Sequence, residues 1–149
     1  NENQHANLSL VCNEIEQQVR VNLANKNISL KKQIDDSIDI ALPIDVLKIV
    51  IRNVLSNAIK FSHENSKIVI NFQPTKNQLT ITDYGVGMSK EKATQLFKKD
   101  VVPSIGTNYE NGFGMGLYIV AELLQKYGGQ IAVDSEIDKG TKFMITFAN

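Results

Sequence analysis

Apolar residues recur along the chain with two different periods, and the switches between them outline the elements. The clearest stretch is residues 45–62, DVLKIVIRNVLSNAIKFS, where Leu47, Val50, Ile51, Val54, Leu55, Ala58 and Ile59 return every three or four positions. At ~100° per residue they cover one broad face of a helix. Asn53, Asn57 and Lys60 fall at i, i+4 and i+7, on the border of that face. Polar groups at the edge of a core need partners. A phosphorylated ligand carrying Mg²⁺ would satisfy two carboxamides and an amine; a solvated stripe is the plainer alternative.

The same periodicity predicts a helix over residues 8–24, from Leu8, Val11, Cys12, Ile15, Val19 and Leu23, behind a polar and frayed stretch at residues 1–7. Alternation predicts short strands at residues 28–31 and 38–41, the second stopped by Pro43. Residues 67–72 and 79–83 alternate again around a turn of about five residues, which reads as a β-hairpin. Ser89 caps a short helix through Phe97. No period survives over residues 98–113, and a loop that long inside a compact domain is usually functional. A helix over residues 114–127, with Leu117, Val120, Ala121 and Leu124 inward, ends at Gly128-Gly129. Strands at residues 130–135 and 142–147 close the chain. Helices and hairpins are mixed rather than alternating as βαβ, so the pattern predicts an α+β two-layer sandwich, one mixed sheet covered on one face by helices. A doubly wound nucleotide fold is disfavoured.

Composition narrows this little but usefully. At 149 residues the chain suits one core, and its 16 basic and 16 acidic residues cancel. A neutral chain is a poor general binder of nucleic acid. The single Cys12 excludes an intrachain disulfide and fits a reducing compartment. No apolar run approaches the ~18 residues of a membrane span, and no signal peptide is expected in this stretch. The chain begins at Asn1 without a Met, and is expected to be a piece of a longer protein.

Two glycine clusters carry the remaining chemistry. Asp83-Tyr84-Gly85-Val86-Gly87-Met88 follows a strand. Glycines there let a ligand approach the backbone, and an Asp at a strand end is placed to accept from an exocyclic amino group. A plain Asp-x-Gly turn is the alternative. Gly112-Phe113-Gly114-Met115-Gly116-Leu117 ends the long loop and opens a helix, where N–H groups and the dipole favour phosphate; a glycine-rich hinge is the alternative. The spacing is neither the Rossmann fingerprint, since Leu117 stands where its third Gly would fall, nor a P-loop.

Taken in order, Asn53-x3-Asn57-x2-Lys60-Phe61, Asp83-x-Gly85-x-Gly87, Phe97, Gly112-x-Gly114-x-Gly116-Leu117 and Gly140-Thr141 resemble the N, G1, F, G2 and G3 boxes of the catalytic ATP-binding domain of two-component sensor histidine kinases. That domain belongs to the Bergerat-fold superfamily shared with DNA gyrase and MutL. The likeness runs over roughly residues 28–147, which would leave residues 1–27 as a tail and helix at the end of a connection from a missing dimerisation domain. It implies that Asn57 offers its carbonyl to Mg²⁺, that Asn53 assists at the metal or phosphates, and that Lys60 neutralises phosphate charge, with Asn53 and Lys60 serving catalysis. It further implies that Asp83 reads the adenine amino group with Thr141 nearby, and that Gly85 and Gly87 leave room for the base. Residues 98–113 would form a lid over the triphosphate, with Lys98 or Lys99 near a phosphate and Phe97 packing the lid. Gly112, Gly114 and Gly116 would let it move and donate N–H groups. Phe61, Met88, Phe113, Met115 and Leu117 come over as further nucleotide-binding positions within those boxes.

The resemblance also implies partners: ATP, the phosphoacceptor and dimerisation domain of the same protein, and a response-regulator receiver domain. The full protein would be a homodimer and a membrane-anchored bacterial sensor, with this part monomeric and facing the cytoplasm. The phosphoacceptor motif, a His followed by an acidic residue and Arg-Thr-Pro, is missing, so the chain alone should not autophosphorylate. His63 reads as a surface residue at a helix end and His5 as a bystander in the tail. Two other readings remain. One is another enzyme of the superfamily, an anti-sigma-type serine kinase or ATPase, in which Glu generally stands at the position of Asn53 as general base. The other is a degenerate protein-interaction module.

Overall fold

The computed structural model describes residues 4–99 and 116–149. Helix α1 (Leu8–Gln18) and helix α2 (Arg20–Asn25) lead into strand β2 (Ser29–Gln33). A two-residue antiparallel pair, β1 (Ala6–Asn7) with β3 (Asp39–Ile40), stands apart from the main sheet. Helix α3 (Ile44–Phe61) follows, then β4 (Lys67–Gln73), β5 (Gln78–Asp83), α4 (Lys90–Gln95), α5 (Gly116–Lys126), β6 (Gln130–Glu136) and β7 (Gly140–Thr146). The main sheet has the order β2-β4-β5-β7-β6, with β2 parallel to β4 and every other pairing antiparallel. The sheet is therefore mixed and the fold α+β, as the pattern predicts.

Cross-strand neighbours point to the same side of a sheet. One row reads Ile70, Ile81, Phe143 and Val133, and the next Phe72, Leu79, Ile145 and Ile131. These side chains, with Ile68, meet the apolar faces of α1, α3 and α5 in one continuous core. Every apolar residue named for the organising helix is buried. On the other side of the sheet Lys142, Asp134 and Ala132 are exposed, so the helices cover one face.

Four expectations need correcting. The N-terminal helix is not continuous: the backbone at Val19 opens to φ −103° and ψ 9°, and the helix restarts at Arg20. Val19 and Val21 are β-branched and crowd a helical turn, while the inward spacing carries across the break, so periodicity could not see it. The first residues are not frayed throughout. Ala6 and Asn7 pair with β3, and Asn7 caps α1 by accepting from the Leu10 N–H at 2.9 Å. The strand expected at residues 38–41 shrinks to two residues that join β1 instead of the sheet. Helix α4 also ends short of Phe97, whose ring packs edge-on against Phe143 with centroids 6.5 Å apart.

Candidate nucleotide site

The end of the sheet's helix-facing side carries the chemistry. The row after Ile70-Ile81-Phe143-Val133 is Ile68, Asp83, Thr141 and Ser135. Strands β5, β7 and β6 each run an inward apolar stripe (Leu79 and Ile81, Phe143 and Ile145, Ile131 and Val133) that ends in a polar residue. Asp83 is 2% exposed and Thr141 4%. Within this row, Asp83 accepts from the Gly85 N–H at 2.9 Å, and the Thr141 N–H also donates to its carboxylate. Burial pushes the Asp83 carboxyl up to about 6, against the pull of those two N–H groups and of His63.

The glycines of this region are demanded first by neighbouring backbone. A Cβ added at Gly85 would lie 1.8 Å from the Phe61 carbonyl oxygen, and one at Gly87 1.9 Å from that of Glu136. A Cβ at Gly140, whose φ is +111°, would lie 2.2 Å from the Asp83 carbonyl oxygen. The Val86 N–H donates to the Phe61 carbonyl at 3.1 Å. The loop after β5 is thus clamped between the end of α3 and the turn joining β6 to β7.

Helix α3 supplies the second half. Asn53, Asn57 and Lys60 are half-buried along one edge. The Asn53 Nδ2 donates to the Ile49 carbonyl at 2.7 Å. Its Oδ1 faces the first residue of α5, where a Cβ on Gly116 would approach to 2.9 Å. The Lys60 and Lys92 ammonium groups lie 4.9 and 5.6 Å from the centroid of the Phe61 ring. Among the described residues no group of three or more His, Cys, Asp or Glu side chains could hold a metal. The carboxamide oxygen of Asn53, beside the start of α5, and that of Asn57 one turn further along α3 are donors of the kind that suit Mg²⁺.

Structure thus brings Asp83, Gly85, Gly87, Thr141, Phe61 and Met88 together around one loop, and sets Asn53 against Gly116. Leu117 is buried in the core. Gly112, Phe113, Gly114 and Met115 lie outside the described residues, as does the expected lid apart from the exposed Lys98 and Lys99. Two residues were missed. Ser135 receives the Met88 N–H at 3.0 Å and touches Thr141; its signal was a polar residue at an inward strand position. Lys26 is 2% exposed, and its Nζ donates to the carbonyls of Ile59, Lys60 and Ser62 at 2.9, 2.9 and 3.2 Å. Nothing in the polar run around it announced that.

This fold, with a buried Asp at a sheet end and an Asn-bearing helix beside it, defines a nucleotide-binding domain of the Bergerat type. Residues 43–149 match the family described as Histidine kinase-, DNA gyrase B-, and HSP90-like ATPase, and the chain belongs to that family. It is 36% identical over 105 residues to the histidine protein kinase SaeS of Staphylococcus aureus, spanning 67% of this chain and 30% of the relative. It is 35% identical over 101 residues to the sensor protein RprX of Bacteroides fragilis, spanning 64% of this chain and 20% of that protein. The chain therefore spans about a third or less of the curated relatives it matches. Among solved structures, the mycobacterial sensor histidine kinase MprB superposes with TM-score 0.80 at 22% identity, covering 97% of both chains. The catalytic domain of histidine kinase ThkA does so at 0.79 and 21%, covering 97% of this chain and 93% of that one.

Proposed function

We propose that this chain is the catalytic ATP-binding part of a sensor histidine kinase, which binds Mg²⁺-ATP and presents its γ-phosphate to a histidine on a separate dimerisation domain. The observation that carries this reading is the buried Asp83 carboxylate facing Thr141 beside the Asn53–Lys60 edge of α3. A site of that kind takes a purine amino group at the sheet and phosphates at the helix. The full-length structure of ShkA, which this chain matches at TM-score 0.78 and 19% identity, was solved in complex with AMPPNP; that supports the same nucleotide class here.

Each residue then has a task. Asp83 and Thr141 hold the base. Asn57 and Asn53 orient the metal and phosphates, and Lys60 compensates their charge. Bound Mg²⁺ would supply charge neutralisation between phosphate oxygens. A neutral amide at position 53 takes no proton from water, whereas an imidazole acceptor attacks with its own lone pair, so the arrangement holds ATP for a histidine without hydrolysing it. Residues 1–27 would carry the connection from the dimerisation domain, and a receiver domain would accept the phosphate next. The parent protein would be a homodimeric, membrane-anchored bacterial sensor with this part cytoplasmic. Among the described residues no helix is long and apolar enough to cross a membrane.

Calorimetric titration with Mg²⁺-ATP and Mg²⁺-GTP tests the reading. Saturable binding of ATP, weak or no binding of GTP, and loss of ATP binding in Asp83→Asn are expected. A folded protein that binds neither nucleotide would overturn it, as would stable transfer of labelled phosphate onto this chain alone.

A further inference from the structure

The hydroxyl of Ser135 has three polar neighbours: the Met88 nitrogen at 3.0 Å, the Gly140 carbonyl oxygen at 2.9 Å and the Thr141 Oγ1 at 2.8 Å. Their chemistry leaves one consistent assignment. A backbone N–H only donates, a carbonyl only accepts, and a serine hydroxyl has one proton and two lone pairs. The Ser135 proton goes to Gly140, because two oxygens at that distance with no proton between them repel. One lone pair takes the Met88 N–H. The other faces Thr141, so the Thr141 proton points at Ser135, and the outward side of Thr141 Oγ1 carries lone pairs alone.

Thr141 stands opposite Asp83 in the β5–β7 register, and both are buried. We propose that Ser135 is a positioning residue that fixes the Thr141 hydroxyl as a pure acceptor beside the Asp83 carboxylate, and so makes the site select a 6-amino purine over a 6-oxo purine. The inference rests on the base-reading role proposed for Asp83 and Thr141. A threonine free to rotate could donate to a 6-oxo group; a threonine whose proton is engaged cannot. The same hydroxyl ties Met88, at the end of the glycine loop, to the Gly140–Thr141 turn. The reader of the base and its wall are set by one side chain.

The test compares affinities for Mg²⁺-ATP and Mg²⁺-inosine triphosphate, which carries a 6-oxo group, in the wild type, Ser135→Ala, Ser135→Thr, Thr141→Val and the Ser135→Ala/Thr141→Val double variant. The wild-type preference for ATP is expected to fall about tenfold in Ser135→Ala, the scale of one buried hydrogen bond changing sense. Ser135→Thr, which keeps the hydroxyl, should restore it. In the Thr141→Val background, Ser135→Ala should change the ratio no further. Equal loss of both affinities in Ser135→Ala, with the ratio untouched, would mean Ser135 only supports the fold and overturns the inference. Should Ser135→Ala lose its cooperative thermal transition, Ser135→Cys, of similar volume but a weak donor, carries the same comparison. A wild type that binds both nucleotides equally, or neither, overturns the base-reading role itself, which separates that failure from the failure of Ser135.

Discussion

At the scale of single residues, the proton on Asp83 links stability to binding. Its carboxyl sits at about 6 when folded, against 3.8 as the ordinary value, because burial disfavours the charge. A raised folded pKa means that the folded state holds the proton more tightly than the unfolded state. The resulting stability is complete below about pH 4 and is lost as pH rises through 6. At neutral pH the free protein therefore carries a cost, and Asp83→Asn is expected to raise its stability by about 1–2 kcal/mol. Thermal melts at pH 7 check this; the same variant should lose ATP. Binding an amino group requires the ionised carboxylate, so ATP affinity should fall about tenfold per pH unit below 6, with proton release on binding. Titration in buffers of different ionisation enthalpy reads the released proton directly. Asn53 makes the opposite kind of statement, since it has no proton to exchange. Asn53→Glu is expected to increase ATP hydrolysis by about tenfold or more, measured as released phosphate, because a base then stands beside the start of α5.

At the scale of elements, the end of α3 is a junction. The last carbonyls of a helix lack internal partners, and here the Lys26 ammonium takes those of Ile59, Lys60 and Ser62. A cation at a helix C-terminus also meets the negative end of the dipole. The same terminus receives the Val86 N–H and the close approach of Gly85, so Lys26 holds the surface on which the glycine loop rests. Lys26→Met is expected to cost about 2–4 kcal/mol, from the charge-assisted bonds lost at the end of α3, measured by urea denaturation. Gly140→Ala tests the other wall. Its φ of +111° and a Cβ 2.2 Å from the Asp83 carbonyl oxygen leave no relaxed position for a methyl group. A loss of about 3 kcal/mol or more is expected by the same assay, through strain rather than lost contacts.

At the scale of the whole molecule, the core does not stop where the family match begins. Ala6, Leu8, Val11, Cys12, Ile15, Val19 and Leu23 are buried in one cluster with the faces of α3, α5 and the sheet. Lys48 of α3 and Glu14 of α1 also pair at 2.8 Å across that interface. Burial puts the Cys12 thiol at about 12, which makes it packing rather than a reactive group. A chain shortened to residues 28–149 would expose the surface that these side chains cover. At about 1.5–3 kcal/mol for each large buried side chain, the loss is comparable to the whole stability of an ordinary domain. Such a chain is expected to lose its cooperative urea transition, although it keeps all of the matched family segment.

What the sequence determined by itself is the periodic part of the protein. Period-3.6 runs made α3 and α5 legible, and alternation made β4, β5, β6 and β7 legible, because amphipathic faces repeat locally. The order of Asn53, Asn57, Lys60, Asp83 and the glycines carried the family, because each motif lies within one short stretch. Tertiary structure alone decided which strands are neighbours, and hence that Asp83, Thr141 and Ser135 share a row although 58 and 52 residues separate the first from the other two. It also decided that Gly85, Gly87 and Gly140 answer to backbone packed against them, and that Lys26 caps a helix far along the chain. Those properties depend on partners brought together by the fold, and no local pattern encodes the partner.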